Sequence, residues 1–568
     1  MAAFLAIKRK CMVVAFGARH GHYCHSQPVD HKTLYFAGNV LFKTQNGGNN
    51  WQVISPDLSR ETWDIPESVG IYKDSTVKKM VRRGVIYTVA PSPLSLNTIW
   101  AGTDDGLIHI TKDGGKNWKN ITPPEITSWS KISLIDAGHF NANTAYAAVN
   151  RLRCDDLHPY IYKTHDGGNT WQEIVNGLPN DPINAVREDP KKKGLLFASS
   201  ETQVYVSFDD GNNWQSLRLN MPATSVRDIM IKDNDLVAAT HGRGFWILDN
   251  INSLRQINSN MANRDILFAP GNAVRVRWDM NTDTPLPPDE PAGQNPPDGA
   301  IMDYYLTNDT NGEVVLEITD NKGNKVRHYS SNDTLYKIPP VDIPLYWIRP
   351  QQTLSAKAGS HRFIWDLHYD PLNVPVSFPM TAIYMNTPPQ ATSPWVMPGN
   401  YTVKLIVNGK IYSQPLSVKM DPRIKTSIAE LETQKSLSLL CYNNRKEISK
   451  LLNEVENIHK QVKELSANSK DELISDLNEL DEKVESFEHS KIKSNKADLH
   501  QLYSSFESLF HSLQESDMPP KMQIINAVNE NETKMKKTKK DWNYIKKIDI
   551  PALNKKLKEK AYQQIIVQ

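Results

Sequence analysis

TQNGGNNW (Thr44–Trp51), TKDGGKNW (Thr111–Trp118), THDGGNTW (Thr164–Trp171) and SFDDGNNW (Ser207–Trp214) are four copies of one stretch. They share the frame Ser/Thr-x-Asp-x-Gly-x-x-Trp, with Asn46 standing for the aspartate in the first. Each position has a physical task. The hydroxyls of Thr44, Thr111, Thr164 and Ser207 and the side chains of Asn46, Asp113, Asp166 and Asp209 can bond the backbone of a tight turn. Gly48, Gly115, Gly168 and Gly211 supply a positive φ. Trp51, Trp118, Trp171 and Trp214 anchor the returning strand. A hairpin staple used four times implies a repeat architecture.

The steps from Trp51 to Trp118, Trp171 and Trp214 are uneven. They bracket the roughly 40–50 residues of a four-stranded propeller blade with variable loops between blades. Short apolar runs precede the turns: Val85–Val89, Thr98–Gly102 and Leu107–Ile110 lead to the second, and Ile183–Val186, Leu195–Ala198 and Val204–Val206 to the fourth. Gly, Pro, Asn and Asp cut these runs, as they do between strands. The predicted fold is mainly β, a partial β-propeller with an Ig-like β-sandwich and an α-helical bundle after it.

The frame resembles the Asp-box, or BNR repeat. Residues 34–249 are similar to the sortilin-like propeller proteins, and especially to bacterial secreted proteins labelled BNR-repeat glycosyl hydrolases. The phrases that carry the likeness are WAGTDDGLIHITKDGGKNW, REDPKKKGLLFASS and VRDIMIKDNDLVAATHGRGFWILDN. The resemblance implies a propeller and an extracytoplasmic location. Activity stays open, because Asp-boxes occur in sialidases, in xyloglucanases and in non-enzymatic receptors alike.

The 568 residues are enough for several domains, and a formal charge of +2 gives no reason to expect a nucleic-acid partner. No run approaches the roughly 20 apolar residues of a membrane span. Cys11, Cys24, Cys154 and Cys441 lack CxxC spacing, so neither a disulfide framework nor a zinc site is read, and no cofactor is implied. Residues 1–33 form a poorly defined segment, in which Lys8, Arg9, Lys10 and Arg19 face no acid before Ser26. The resemblance begins in mid-blade near Leu34, with no inner strand evident before it, which reads as a truncated propeller. His20, His22, Cys24 and His25 have ligand-type chemistry but are assigned to a tail.

Propeller blades are assigned to 34–270, a Pro-rich linker (TDTPLPPDEPAGQNPPDG within it) to 271–299, a β-sandwich to 300–420 and helices to 424–568. The phrases EVVLEITDNKGNKVR and PGNYTVKLIVNG resemble FlgD-type Ig-like modules. Leu451, Val455, Ile458, Val462 and Leu465 keep the spacing of a helix stripe. The lysine-rich segment Lys534–Lys560 is interleaved with Trp542, Tyr544, Ile545 and Leu553 and reads as a solvated helix face.

If the frame is the turn between the third and fourth strands of a blade, the turns between the second and third lie on the opposite face. Those turns hold Asp104, Asp105, Arg151, Arg153, Asp155, Asp156, Glu201, His241 and Arg243. The predicted recognition set is Arg151, Arg153, His241 and Arg243 as donors and Asp104, Asp155 and Glu201 as acceptors. Guanidinium groups suit carboxylates or sulfates, and His241 would add pH sensitivity. The function this favours is a binding protein for a protein, peptide or glycan. The alternative is a glycoside hydrolase, which needs two carboxylates about 5–9.5 Å apart, and no catalytic residue is singled out for it.

Overall fold

The computed structural model describes residues 23–62, 84–258, 261, 263–277, 293–379, 385–469, 473–488 and 498–567. The chain forms two compact units, Met1–Met261 and Ala262–Gln568.

In the first unit, antiparallel meanders follow one another. The first is β1–β4 (Tyr23–Ser26, Leu34–Ala37, Leu41–Thr44, Gln52–Val53), and the second is β5–β8 (Ile86–Pro91, Ile99–Thr103, Ile108–Thr111, Lys119–Asn120). The third is β9–β12 (Lys131–Ala137, Ala145–Asn150, Tyr160–Thr164, Gln172–Glu173), and the fourth is β13–β16 (Ile183–Glu188, Leu196–Ser200, Val204–Ser207, Gln215–Ser216). The fifth has three strands among the described residues, β17–β19 (Val226–Lys232, Asp235–Thr240, Phe245–Leu248). First strands of successive meanders lie side by side. That is the blade stacking of a β-propeller.

Second strands such as β6 (IWAGT) and β14 (LFASS) are buried along their whole length, because neighbouring blades cover both faces. Their apolar and small residues suit that position. Side chains near the hub stitch blade to blade. Thr88 Oγ1 accepts from Ile135 N at 3.0 Å, Ser133 Oγ donates to Ile183 O at 3.3 Å, and Asn184 Nδ2 donates to Val226 O at 3.2 Å.

The four repeated turns share one bonding scheme. In the third, Gly168 N donates to Thr164 Oγ1 at 3.0 Å, Thr164 Oγ1 donates to Asp166 Oδ1 at 2.8 Å, and Thr170 N donates to Asp166 Oδ1 at 3.0 Å. Asn46 does the same work with its amide oxygen, accepting from Asn50 N at 3.0 Å. The tryptophan does more than hold its own strand. Trp118, Trp171 and Trp214 each donate Nε1–H to a carbonyl of the preceding blade, on Ile54, Ile121 and Ile174, at 2.8, 2.7 and 2.8 Å. The same isoleucines pack against Gly115, Gly168 and Gly211, whose φ values are +101°, +82° and +81°. A Cβ there would strike the preceding blade, so these glycines answer both a backbone and a packing demand.

The turn carboxylates titrate low. The N–H and then the amide of Asn117 hold Asp113 at about 2, and the hydroxyl and N–H of Thr170 hold Asp166 well below the usual range. Burial alone would raise Asp209, but its bonds from Asn213 and Ser207 outweigh that. A carboxyl with a lowered native pKa adds stability that is fully present above its unfolded value, near 4, and is lost as pH falls through the native one. The melting temperature is therefore expected to drop between about pH 4 and pH 2. The triple variant Asp113→Asn/Asp166→Asn/Asp209→Asn, patterned on Asn46, should flatten that slope. An unaltered slope would place the acid sensitivity elsewhere. Asp209→Ala alone should cost about 1 kcal/mol in urea unfolding, as loss of a comparable cap does.

One expectation fails at the first blade. The sequence showed no inner strand before Leu34, yet β1 pairs with β2 from Tyr23↔Ala37 to Ser26↔Leu34. His25, assigned to a tail, lies in that strand.

In the second unit, β20 to β27 are Ile266–Leu267, Ala273–Arg275, Ala300–Leu306, Val314–Asp320, Lys325–Ser330, Gly359–Trp365, Gly399–Val407 and Lys410–Met420. They form two sheets, β20-β22-β25 and β21-β27-β26-β23-β24. Alternate residues of β22 and β26 point into one shared core with Met302, Leu316, Trp365 and Leu405. Ala273–Arg275 falls in the stretch read as a linker, but it pairs in parallel with β27. Most of the Pro-rich remainder lies outside the described residues.

The helices are α1–α5, at Ile428–Asn468, Leu473–Glu488, Leu499–Gln514, Met522–Tyr544 and Ile550–Glu559. Ser427 caps α1 in a reciprocal pair with Glu430. The stripes carrying Val455, Leu477, Phe506 and Leu557 meet in one core, as the helical spacing requires. Trp542 and Lys546 both donate to Glu454 of α1, at 2.9 and 2.6 Å, which draws part of the lysine-rich segment onto the bundle.

Candidate functional site

The turns between second and third strands were the predicted rim. In β6–β7, Asp104 Oδ1 accepts from Val85 N at 2.8 Å. Burial pushes its pKa up, against that bond and the nearby Arg153. Asp105 accepts from Thr103 Oγ1 at 2.6 Å and from Arg60 N at 2.9 Å. Asp104 is thus tied to the residue before β5, and Asp105 to its own turn and to Arg60.

In the β10–β11 loop, Arg153 donates to the backbone carbonyls of Asp104 and Trp129, and its guanidinium lies 5.4 Å from the Trp129 ring centre. Arg153 thus ties this loop to the preceding blade. Arg151 pairs with Asp156 at 3.1 Å, while Asp156 also accepts from Tyr160 Oη at 3.0 Å. Asp155 takes the left-handed conformation, φ +56°, closing a short 3-10 turn, and its side chain is exposed. In β14–β15, Glu201 Oε1 accepts from Asn184 Nδ2 at 3.1 Å and from Arg227 Nη1 at 3.0 Å, bridging to the fifth blade.

The fifth turn differs. Gly242 and Gly244 have φ of +91° and +67°, and Thr240 Oγ1 closes the turn by donating to Gly244 O at 2.7 Å. Trp246 Nε1 donates to Arg243 O at 3.2 Å rather than to a preceding blade. The side chains of His241 and Arg243 are exposed and bond to no group among the described residues. The structure therefore brings together Asp104 with Arg153, Arg151 with Asp156, and Glu201 with Arg227. Among the described residues it gives the side chains of His241, Arg243 and Asp155 no partner.

Two clusters escaped the sequence reading. Near the hub, Arg187 Nε donates to Ile229 O at 2.7 Å, and its guanidinium pairs with Asp136 at 3.3 Å and Asp228 at 3.1 Å. Burial, and then the charge of Arg187, lower the pKa of His25, while Asp228 opposes them. First strands of three blades thus contribute to one charge group, and His25 of β1 lies within reach of its field. No local pattern marks it, since its members come from different blades.

On the side of the repeated turns, Asp210 has φ +61° where the other copies carry Gly47, Gly114 and Gly167. Its carboxylate accepts from Tyr146 Oη at 2.6 Å and Lys163 Nζ at 2.9 Å, and it lies 3.0 Å from His165 Nε2. The strain of a non-glycine residue there is offset by bonds that lock blade 3 to blade 4. Aligning the four copies exposes this exception. Beside it opens a shallow cavity of about 450 Å³ lined by Asn141, His165, Lys193, Phe208 and Asp210. No His, Cys, Asp and Glu cluster able to hold a metal occurs among the described residues, and no described helix is long and apolar enough to cross a membrane.

No family model matches the chain, and no curated protein matches it. Among solved structures, it is similar to the GH74 xyloglucanase from Xanthomonas campestris at 15% identity and TM-score 0.31, covering 44% of this chain and 41% of that one. It is similar to YCF48 bound to D1 peptide at 17% identity and TM-score 0.23, covering 41% and 78%, and to the WD40 propeller domain of Doa1 at 8% and 0.26, covering 41% and 68%. The chain spans about half or less of the length of the first two structures it matches. At such scores the propeller rests on the chain's own sheet order and blade stacking.

Proposed function

We propose that the chain is a binding module that recognises a carboxylate- or sulfate-bearing protein, peptide or glycan through the rim turn of its fifth blade. One observation carries this reading: Arg243 and His241 stand exposed on a glycine-flanked turn with no side-chain partner among the described residues, while Arg151 and Arg153 are engaged. An unpaired guanidinium on a short rigid turn is ready to grip a planar anion with two parallel bonds.

Acid-pair hydrolysis fits less well. Of the five rim acids, Asp104, Asp105, Asp156 and Glu201 are held by backbone N–H groups, hydroxyls, an amide or arginines. Only Asp155 is left, and a glycosidase needs two. This reading is joined by three others from the same sequence: the repeated turns are Asp-boxes of the sortilin-like kind, the two-sheet body is an Ig-like module, and the protein acts outside the cytoplasm.

Binding to glycan and peptide arrays, run beside hydrolysis screens on sulfated, sialylated and β-glucan substrates, tests the proposal. Arg243→Ala is expected to weaken binding about 10-fold or more, the scale of one charged hydrogen bond. Turnover that is lost in Asp155→Asn or Glu201→Gln would establish the hydrolase instead.

A further inference from the structure

Among the described residues, the fifth blade is left open on one face and one edge. In blade 4, Val204 and Val206 of β15 are only 4% and 3% exposed, because the fifth blade covers them. Phe245 and Ile247 hold the corresponding places in β19, since Trp246 pairs with Ala238 as Tyr205 pairs with Ala198. They are 78% and 57% exposed. Across the sheet, Ile247 pairs with Val237, and Val237 with Met230, itself 56% exposed. The result is an apolar row crossing all three strands. The opposite side chains, Trp246 and Leu248, pack toward blade 4.

The edge is open as well. In blades 1–4 a short fourth strand pairs with the third, as Val206 does with Gln215. Among the described residues no strand pairs with the outer edge of β19. The backbone groups on that edge are a template for another strand.

We propose that β19 takes up an extended segment of another polypeptide as the missing fourth strand. Its alternate apolar side chains would lie on Ile247 and Phe245, and an acidic group at one end would meet Arg243 and His241. Size and charge select this occupant. Three strands about 4.8 Å apart, with about five residues each, make a face of about 250 Å² in projection. A stable dimer buries about 800 Å² per partner, so a second copy is poorly served. An added strand gains main-chain hydrogen bonds as well as apolar contact. The Arg243 guanidinium at the start of β19, beside His241, has no partner among the described residues and matches an acid. This inference rests on the rim reading for the acid and on the blade for the strand.

The test begins with a display library of random seven-residue peptides, followed by synthesis of the enriched sequence. Enrichment of period-2 apolar sequences with a terminal Asp or Glu is expected. Ile247→Asp, at an exposed site, should weaken the peptide at least tenfold. N-methylation along the peptide should weaken it at every second position only, which side-chain contact alone would not produce. If Arg243→Ala weakens binding while Ile247→Asp and N-methylation do nothing, strand addition is overturned and the rim reading stands. If the period-2 pattern holds and Arg243→Ala does nothing, the strand site stands and the rim reading falls. A library with no enrichment overturns the proposal. So does a concentration-dependent dimer that Ile247→Asp abolishes, which would assign the face to a second copy.

Discussion

Trp214→Ala is expected to destabilise the propeller unit by about 3–5 kcal/mol, the cost of emptying a well-packed aromatic site. Trp214 is 4% exposed and packs with Tyr146, Ile174, Ile183, Leu196 and Tyr205, residues of two blades. Its Nε1–H bonds Ile174 O at 2.8 Å, so the indole is both core and inter-blade bolt. Trp214→Phe separates the two roles. It keeps most of the apolar surface and leaves the Ile174 carbonyl without its donor, for about 1–2 kcal/mol. Trp51 supplies the control, because its buried Nε1 has no hydrogen-bond partner among the described residues. Trp51→Phe should change stability by less than about 0.5 kcal/mol. Urea unfolding followed by the remaining tryptophans would show the contrast. Equal losses for Trp214→Phe and Trp51→Phe would mean that ring volume, not the hydrogen bond, accounts for the effect.

The contrast between these tryptophans shows how much was legible in sequence. The turn frame was readable because its chemistry is local: Thr164, Asp166, Gly168 and Thr170 bond one another within a few residues. Strand order was readable because four copies of the turn set its phase. The partner of each tryptophan was not, since Ile121 O is reached across a blade boundary from Trp171. The rim suffers the same blindness. The sequence offers Arg153 and Glu201 as ligand groups without showing that Arg153 bonds the Asp104 and Trp129 carbonyls and Glu201 bonds Arg227. Sequence names the residue types that a turn presents; only the neighbouring blade decides which of them remain free. β1 was missed because its four residues, Tyr-Cys-His-Ser, lack an apolar alternation. Pairing with Leu34–Ala37 makes it a strand.

The second large effect is expected at a buried ion pair that latches the fifth blade. Arg255 follows β19 in a short 3-10 turn, and its guanidinium is divided among three acceptors. Nε donates to Asp189 Oδ2 at 2.8 Å, Nη1 to Asn234 Oδ1 at 2.6 Å, and Nη2 to Asp233 O at 3.0 Å. Asp189 belongs to the turn after β13, and Asp233 and Asn234 to the turn after β17, so one side chain clamps blade 4 to blade 5. Both charges are out of water, with the side chains 7% and 0% exposed. Asp189 also accepts from the N–H groups of Lys191 and Lys192 at 2.7 and 2.8 Å, which fixes the carboxylate in place. Arg255→Met fills similar space but strands that carboxylate without its cation. Breaking one side of such a pair costs about 3–5 kcal/mol, far more than the pair itself contributes over an apolar replacement. Arg255→Lys should recover only part of the loss, because an ammonium cannot reproduce the planar fork that serves two turns at once. Since the fifth blade has no repeated turn of its own to bolt it down, the damage should be local. Hydrogen exchange would then speed up in β17–β19 well before β9–β12. A uniform acceleration across all blades, or a loss below about 1 kcal/mol, would show that Arg255 is not the latch.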